Sequence, residues 1–320
     1  MHREPPTAWS DNATQVVGVL GGTSFVGQRL IDSLRPAGSP APGHRVVAFS
    51  RAARPAASTP PEPGSVQWHR LPADHATWRE EILHWVAVCP LWAVPEQLPL
   101  LEAAGARRLV ALSSTSRFTK RLSPVAAERA LASRLAAAEE QVISRTRSLG
   151  IVTTILRPTM IYDGVHDRNV AAIAGFIRRF GFFPVAGAAE GLRQPVHADD
   201  VAAACLLVLP CDGLRDDAYD LSGGETLSYR EMVRRIFAWL DRPARVATIP
   251  AGLVRAATPL LGWSPWLGSL PTLAARMNDD LVFDHGAAAR DFGFQPRPFA
   301  LPFHRPPHHA AGNPAHAPTP

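Results

Sequence analysis

The sequence predicts an α/β fold: a doubly wound parallel sheet with a smaller C-terminal substrate region beside it. Three observations predict it. The valine-rich run Val16-Val17-Gly18-Val19-Leu20 leads into a glycine turn and then a helical pattern, with Val26, Leu30, Ile31 and Leu34 on one face. Short apolar runs then alternate with helical stretches as far as Leu156, as parallel strands with crossover helices require. From Asp163 onward that regularity is lost, as in a smaller region built over the strand ends.

The opening unit carries the first functional signal. Strand, glycine turn and helix in this order let the backbone approach a pyrophosphate, while the helix N-terminus offers free N–H groups and a positive dipole end. The turn reads Gly21-Gly22-Thr23-Ser24-Phe25-Val26-Gly27, and Pro36 ends the helix. Ser24 brings a Cβ where a third glycine would leave the backbone bare, which restricts close approach and any positive φ.

The next elements follow in order. Arg45–Ser50 reads as a second strand, Val66–Trp68 as a short third and Trp85–Pro90 as a fourth. A helix ending near Gly105 leads to a fifth strand, Arg108–Leu112, which runs into Ser113-Ser114-Thr115-Ser116. Ser123-Pro124 starts an alanine-rich helix that Gly150 stops, and Ile151–Leu156 is a sixth strand. Val170–Phe180 suits an amphipathic helix, Tyr219–Leu221 a last sheet strand, and Ser228 the cap of a helix through Leu240.

The end of the second strand sits beside an adenosine ribose in such folds, where a carboxylate favours NAD(H). Here Ser50 is followed by Arg51, with Arg54 nearby. An arginine can pair with a 2′-phosphate, so NADP(H) is favoured over NAD(H), the alternative being a solvent-facing arginine in a proline-rich loop.

Composition bounds the alternatives. The 320 residues are 46% hydrophobic and 19% charged, values of a globular chain. The net charge of +5 comes from scattered arginines with one lysine, Lys120, and no basic run alternates with aromatics, so nucleic acid is not an expected partner. Cys89, Cys205 and Cys211 have neither zinc nor Cys-x-x-Cys spacing. No apolar run is long enough to span a membrane and no signal-peptide pattern is seen, so a cytoplasmic protein is expected. The stretch 251–270 holds Trp263, Trp266 and a single charge, Arg255. It suits a membrane surface, or core or lid over a pocket, and prolines at 250, 259 and 265 favour the latter. The expected organisation is a loose tail (1–14), a dinucleotide-binding core (15–162), a substrate-side region (163–303) of which 193–222 returns to the core, and a His/Pro-rich tail (304–320).

Five stretches, in the right order from Val16 to Phe303, resemble the short-chain dehydrogenase/reductases, especially the extended and atypical branches related to NAD-dependent epimerases and dehydratases. They are the glycine turn, Ser113-Ser114-Thr115-Ser116-Arg117-Phe118, Leu156-Arg157-Pro158 through Tyr162, Arg193 through Ala202, and Asp284 through Phe294. The resemblance implies a Rossmann core with cofactor contacts at Gly21, Thr23, Ser24, Phe25, Val26, Gly27, Ser50, Arg51, Pro90, Ser113 and Pro158. It also implies a nucleotide sugar or related polar carbonyl or alcohol as substrate, with Arg193 on its diphosphate and His197 nearby. Asp199 and Asp200 would begin a helix, where capping is their simplest role.

That family uses a Tyr-x-x-x-Lys pair, in which lysine lowers the tyrosine pKa and tyrosine moves the proton. The pair is absent: four residues after Tyr162, Tyr219 and Tyr229 come His166, Gly223 and Val233. The remaining candidates are Ser114 at the family's serine/threonine position, with Tyr162 or Lys120 as a substitute acid or base. Two functions therefore stay open: an oxidoreductase or epimerase with substitute groups, or a non-catalytic NADP(H)-binding redox sensor or assembly factor, with a protein partner or a homodimer.

Overall fold

The computed structural model describes residues 15–35, 44–51, 64–71, 75–250 and 275–301. Seven parallel strands form the main sheet: β1 (Val16–Leu20), β2 (Arg45–Ser50), β3 (Val66–Arg70), β4 (His84–Ala87), β5 (Arg108–Leu112), β6 (Val152–Pro158) and β11 (Ala218–Leu221). Their spatial order is β11-β6-β5-β4-β1-β2-β3. The order reverses between β1 and β4, and the crevice beyond the strand ends there is where such sheets bind ligands.

The sheet is apolar on both faces because helices cover both. On one side Val17, Val19, Val46, Val86 and Val110 pack against α1 (Phe25–Leu34), α6 (Ala198–Val208) and α8 (Gly286–Phe292). On the other, Leu20, Phe49, Trp85, Leu109 and Ile155 meet α2 (Leu98–Ala103) and α4 (Ala126–Ser148). Gly18 makes room for this packing, since a Cβ there would lie 2.5 Å from the Trp85 ring.

A third cluster forms the smaller unit over the strand ends. It joins α5 (Val170–Phe180), α7 (Tyr229–Trp239) and β8 (Phe183–Ala186) around Ile173, Ile177, Val185, Met232 and Phe237. Short ladders tie it down: β7 (Ile161–Tyr162) with β10 (Val196–His197), β9 (Leu192–Arg193) with β12 (Leu227–Ser228), and β8 with β13 (Val246–Ile249).

Several boundaries differ from the sequence-based expectation. The fourth strand ends at Ala87, and the following connection is two 3₁₀ turns before the six-residue α2. Pro95 and Pro99 lack the N–H that a continuous helix would need there. α4 starts at Ala126, two residues after Pro124, with the Ser123 hydroxyl accepting from the Val125 amide and donating to Glu128. Gly150, at φ 71°, ends that helix as expected. Among the described residues no helix is long and apolar enough to cross a membrane. The two terminal tails and the stretch 251–270 lie outside the described residues.

Candidate functional site

The glycine turn is fixed by sterics. Gly21 has φ +87°, and a Cβ on it would lie 2.7 Å from the Cys89 amide nitrogen. A Cβ on Gly27 would lie 2.5 Å from the Gly21 carbonyl oxygen. Ser24 stands at φ −68° and ψ 158°, so its side chain meets no backbone strain. Its hydroxyl caps α1, accepting from the Gly27 amide at 3.0 Å. The Gln28 amide bonds to the Ser24 carbonyl, which leaves the first-turn amides of Phe25 and Val26 without a helical partner. A serine therefore stands in place of a glycine without closing the helix terminus.

At the other end of the turn, Ser50 is buried, and its hydroxyl lies 3.1 Å from that of Thr23. Arg51 follows and is exposed, next to residues 52–63, which lie outside the described set. Pro90 opens the first 3₁₀ turn beyond β4. Beside it, burial pushes the Cys89 thiol up to about 11, so this sulfur is a packing group.

A cavity of about 1440 Å³ opens between the strand ends and the smaller unit. Thr23, Ser24, Phe25, Ser113, Ser114, Lys120, Pro158 and Arg193 all line it. Gly21, Val26, Gly27, Ser50, Arg51 and Pro90 do not line the cavity, and neither do Tyr162 and His197, which are buried.

The serines at the end of β5 are already engaged. Ser113 Oγ donates to Glu139 Oε1 at 2.5 Å, and Ser114 Oγ accepts from the Ser116 amide at 3.1 Å. Glu139, on α4, is 1% exposed. It also receives Arg157 Nη2 at 2.6 Å and the guanidinium of Arg117. Burial works to raise this carboxyl, but the hydrogen bonds from Arg157 and Ser113 and the charges of Arg157 and Arg117 hold it below the usual range.

The Tyr162 hydroxyl is equally committed. It donates to the Ala300 carbonyl and accepts from the Ala300 amide, both at 3.1 Å. Burial pushes its pKa up, and its ring packs on His197 and Phe299. His197 Nδ1 accepts from the Asp199 amide at 3.2 Å and caps α6, and burial lowers its pKa against the pull of Asp199. Asp200 is likewise structural, with the Arg297 amide at 2.9 Å and Nε at 2.8 Å on its carboxylate.

Two of the sequence-predicted residues on the cavity wall are cations. Arg193 is buried, and its guanidinium donates to the carbonyls of Leu192 (2.7 Å), Asp279 (2.6 Å) and Arg276. Lys120 is half-buried, 4.0 Å from Glu128, whose carboxylate also takes Arg276 at 2.8 Å. Burial lowers the Lys120 ammonium first, then Arg276, with Glu128 opposing.

One wall is the turn from Asp163 to Asn169. Asp163, almost fully buried, accepts from the amides of Val165 (2.9 Å) and His166 (2.7 Å) and from His166 Nδ1 (2.8 Å). Asp167 takes the amides of Gly164 (2.9 Å), Asn169 (2.8 Å) and Ala171 (3.1 Å). Ile249, Arg276 and Met277 also line the cavity.

Sequence reasoning missed Glu139, Glu128 and Arg276. A signal existed for the first: helical spacing from Leu135 and to Val142 places Glu139 on the buried stripe of α4. Arg276 reaches Glu128 over 148 positions of sequence, which no local pattern reveals.

Comparison with known proteins gives the following. No family model matches the chain. It is 29% identical over 173 residues to NADH dehydrogenase [ubiquinone] 1 alpha subcomplex subunit 9, mitochondrial, of Arabidopsis thaliana, covering 50% of this chain and 42% of that protein. It is 27% identical over 151 residues to the uncharacterized protein y4nG of Sinorhizobium fredii (strain NBRC 101917 / NGR234), covering 46% of this chain and 37% of that protein. The match thus spans less than half the length of either curated relative. Among solved structures, gox2253 superposes with a TM-score of 0.63 at 17% identity, over 89% of this chain and 94% of that one. The UDP-glucuronic acid 4-epimerase of Bacillus cereus in complex with NAD gives 0.62 at 13% identity, over 88% and 94%. DesIV, the dTDP-glucose 4,6-dehydratase of Streptomyces venezuelae with NAD bound, gives 0.60 at 17% identity, over 88% and 92%. The chain has the Rossmann-type fold of the extended short-chain dehydrogenase/reductases, the group that its motifs resemble.

Proposed function

We propose that this chain binds a nicotinamide dinucleotide, NADP(H) in preference to NAD(H), and uses it as a bound ligand rather than as a hydride carrier. The turn from Gly21 to Gly27 would hold the pyrophosphate on the free amides of Phe25 and Val26, with Arg51 on the 2′-phosphate. Ser113 and Pro158 would lie along the nicotinamide, the ring that accepts or donates hydride in enzymes of this fold.

The observation that carries the non-catalytic reading is that no tyrosine–lysine pair accompanies Ser114, the candidate serine, while its neighbour Ser113 is tied to Glu139. The Ser113 proton is directed to Glu139, whose charge is fixed by two arginines, so this pair holds its proton rather than moving it. Tyr162 is spent on Ala300. A protein that nucleotide stabilises, and that presents a surface to a partner or a second copy in consequence, fits these facts. The likeness to a named subunit of a larger dehydrogenase supports that role. Free Cys89, Cys205 and Cys211 suit a reducing compartment such as the cytoplasm.

Thermal unfolding with NADPH, NADH and no nucleotide tests the binding. Ligand at about a hundred times its dissociation constant adds roughly 2.7 kcal/mol, a clear midpoint shift. A shift with NADPH and a smaller one with NADH is expected, and no shift with either rejects the site.

A second reading keeps chemistry. Lys120 lines the cavity with a depressed pKa and could serve as acid or base toward a nucleotide sugar or related polar substrate. Arg193 would then have to trade carbonyl partners for a diphosphate. Multiple turnovers by the purified protein, abolished by Lys120→Met, would establish this reading over the first.

A further inference from the structure

The cavity is too large for one ligand and is chemically divided. Sites for single small molecules run from about 300 to 1,000 Å³, against about 1440 Å³ here. Its glycine-turn end is lined by hydroxyls and amides. Its far lobe is lined by Met160, Phe176, Pro184, Ile249 and Phe283, with Ile173 and Met277 nearly buried behind them.

Such a lobe does not suit a hexose, whose hydroxyls each need a partner once out of water. Arg193 is committed to three carbonyls, and the Gln194 side chain accepts from the Phe283 amide at 2.7 Å. Among the described residues at that end, Arg168, Asn169 and Tyr229 carry the polar groups, beside a wall of apolar side chains. Unbranched methionines and aromatic faces instead fit a flexible hydrocarbon. The charges point the same way: Lys120 and Arg276 share one carboxylate, Glu128, and so carry an uncompensated positive charge at the cavity wall. Arg168 adds an exposed guanidinium to the same cavity.

We propose that the far lobe binds the hydrocarbon chain of an anionic amphiphile, a long-chain carboxylate or alkyl phosphate, with its head group on Lys120 and Arg276. The proposal deepens the reading of this cavity as a nucleotide site and rests on it for what fills the glycine-turn end. The second ligand lies beside the dinucleotide, so each helps to order the wall the other uses.

The test is displacement of cis-parinaric acid from the full chain by octanoate, decanoate, laurate and myristate, below their micellar concentrations. Affinity is expected to rise roughly fourfold for each added methylene until the lobe is filled. Phe176→Ser should weaken laurate more than about tenfold while Phe176→Leu restores it, and both should keep the NADPH-induced midpoint shift. Arg276→Ala should weaken laurate by about tenfold and leave 1-dodecanol unchanged. Laurate and dodecyl phosphate in parallel decide which head group is preferred. Affinity that is flat along the series, or displacement by UDP-glucose but not by laurate, overturns the proposal. A chain-length slope without any NADPH shift would overturn the nucleotide reading and leave this one standing; an NADPH shift without the slope does the reverse.

Discussion

The Ser113 hydroxyl donates to Glu139 Oε1 over 2.5 Å, joining the end of β5 to the middle of α4. Around that bond Arg157 and Arg117 close on the same carboxylate, and Asp220 stands 3.8 Å from Arg157 on the neighbouring strand. The end of β5 is thus backed by a packed ionic cluster.

Removing one member of that cluster should be costly. Glu139→Ala leaves two guanidinium groups partly buried with no carboxylate between them, a loss of about 3–5 kcal/mol. Urea unfolding of the variant, with its midpoint well below wild type, checks this; a change within about 0.5 kcal/mol would mean the cluster is no more than surface charge.

The same carboxyl sets an acid limit. Its folded pKa lies below the ordinary 4.5, so its stabilisation is complete above that pH and lost as pH falls through the folded value. Urea midpoints followed from about pH 7 to about pH 3 should fall in wild type and fall less steeply in Glu139→Gln.

Asp220 should behave in the opposite sense. Burial raises its pKa above 3.8, so its ionised form works against folding at neutral pH. Asp220→Asn should stabilise the chain by up to about 1 kcal/mol near neutrality, with the gain shrinking in acid. Destabilisation at neutral pH would show that Arg157 needs this second anion.

The glycine turn gives a separation of roles. Gly27→Ala forces a Cβ against the Gly21 carbonyl and should abolish the NADPH midpoint shift. Ser24→Ala removes a cap, costing about 1 kcal/mol, while the shift persists because the Phe25 and Val26 amides remain.

Tyr162→Phe should cost about 1–3 kcal/mol, since the Ala300 amide and carbonyl both lose their partner. Nucleotide binding should be unaffected, and any turnover should survive. An enzyme dead only through this substitution would restore Tyr162 as its acid.

What was legible in the sequence is what depends on local order. Valine runs, glycine spacing and the capping serine Ser228 specify strands and helix starts to within a few residues, whereas the cap made by Ser24 emerges only in the structure. Ser113, Ser114 and Lys120 could be placed near the cleft because the strand before them is unmistakable. Pairings set by tertiary approach were not legible: Arg276 with Glu128, Tyr162 with Ala300, or Arg193 with Asp279. Arg193 looks like an anion site in sequence because guanidinium chemistry is the same whether it meets a phosphate or three peptide carbonyls. The apolar far lobe escaped for a related reason, since Phe176, Pro184 and Ile249 come from separate elements that only the fold brings to one wall.

The turn from Asp163 to Asn169 has a kinetic consequence. Its amides are held by two buried carboxylates, and protonating Asp163 would release those of Val165 and His166. Asp163 resists that: burial would raise its pKa, but His166 and the backbone amides keep it below 3.8. The Asp163 end of this wall is therefore expected to hold in place while a ligand exits past the others.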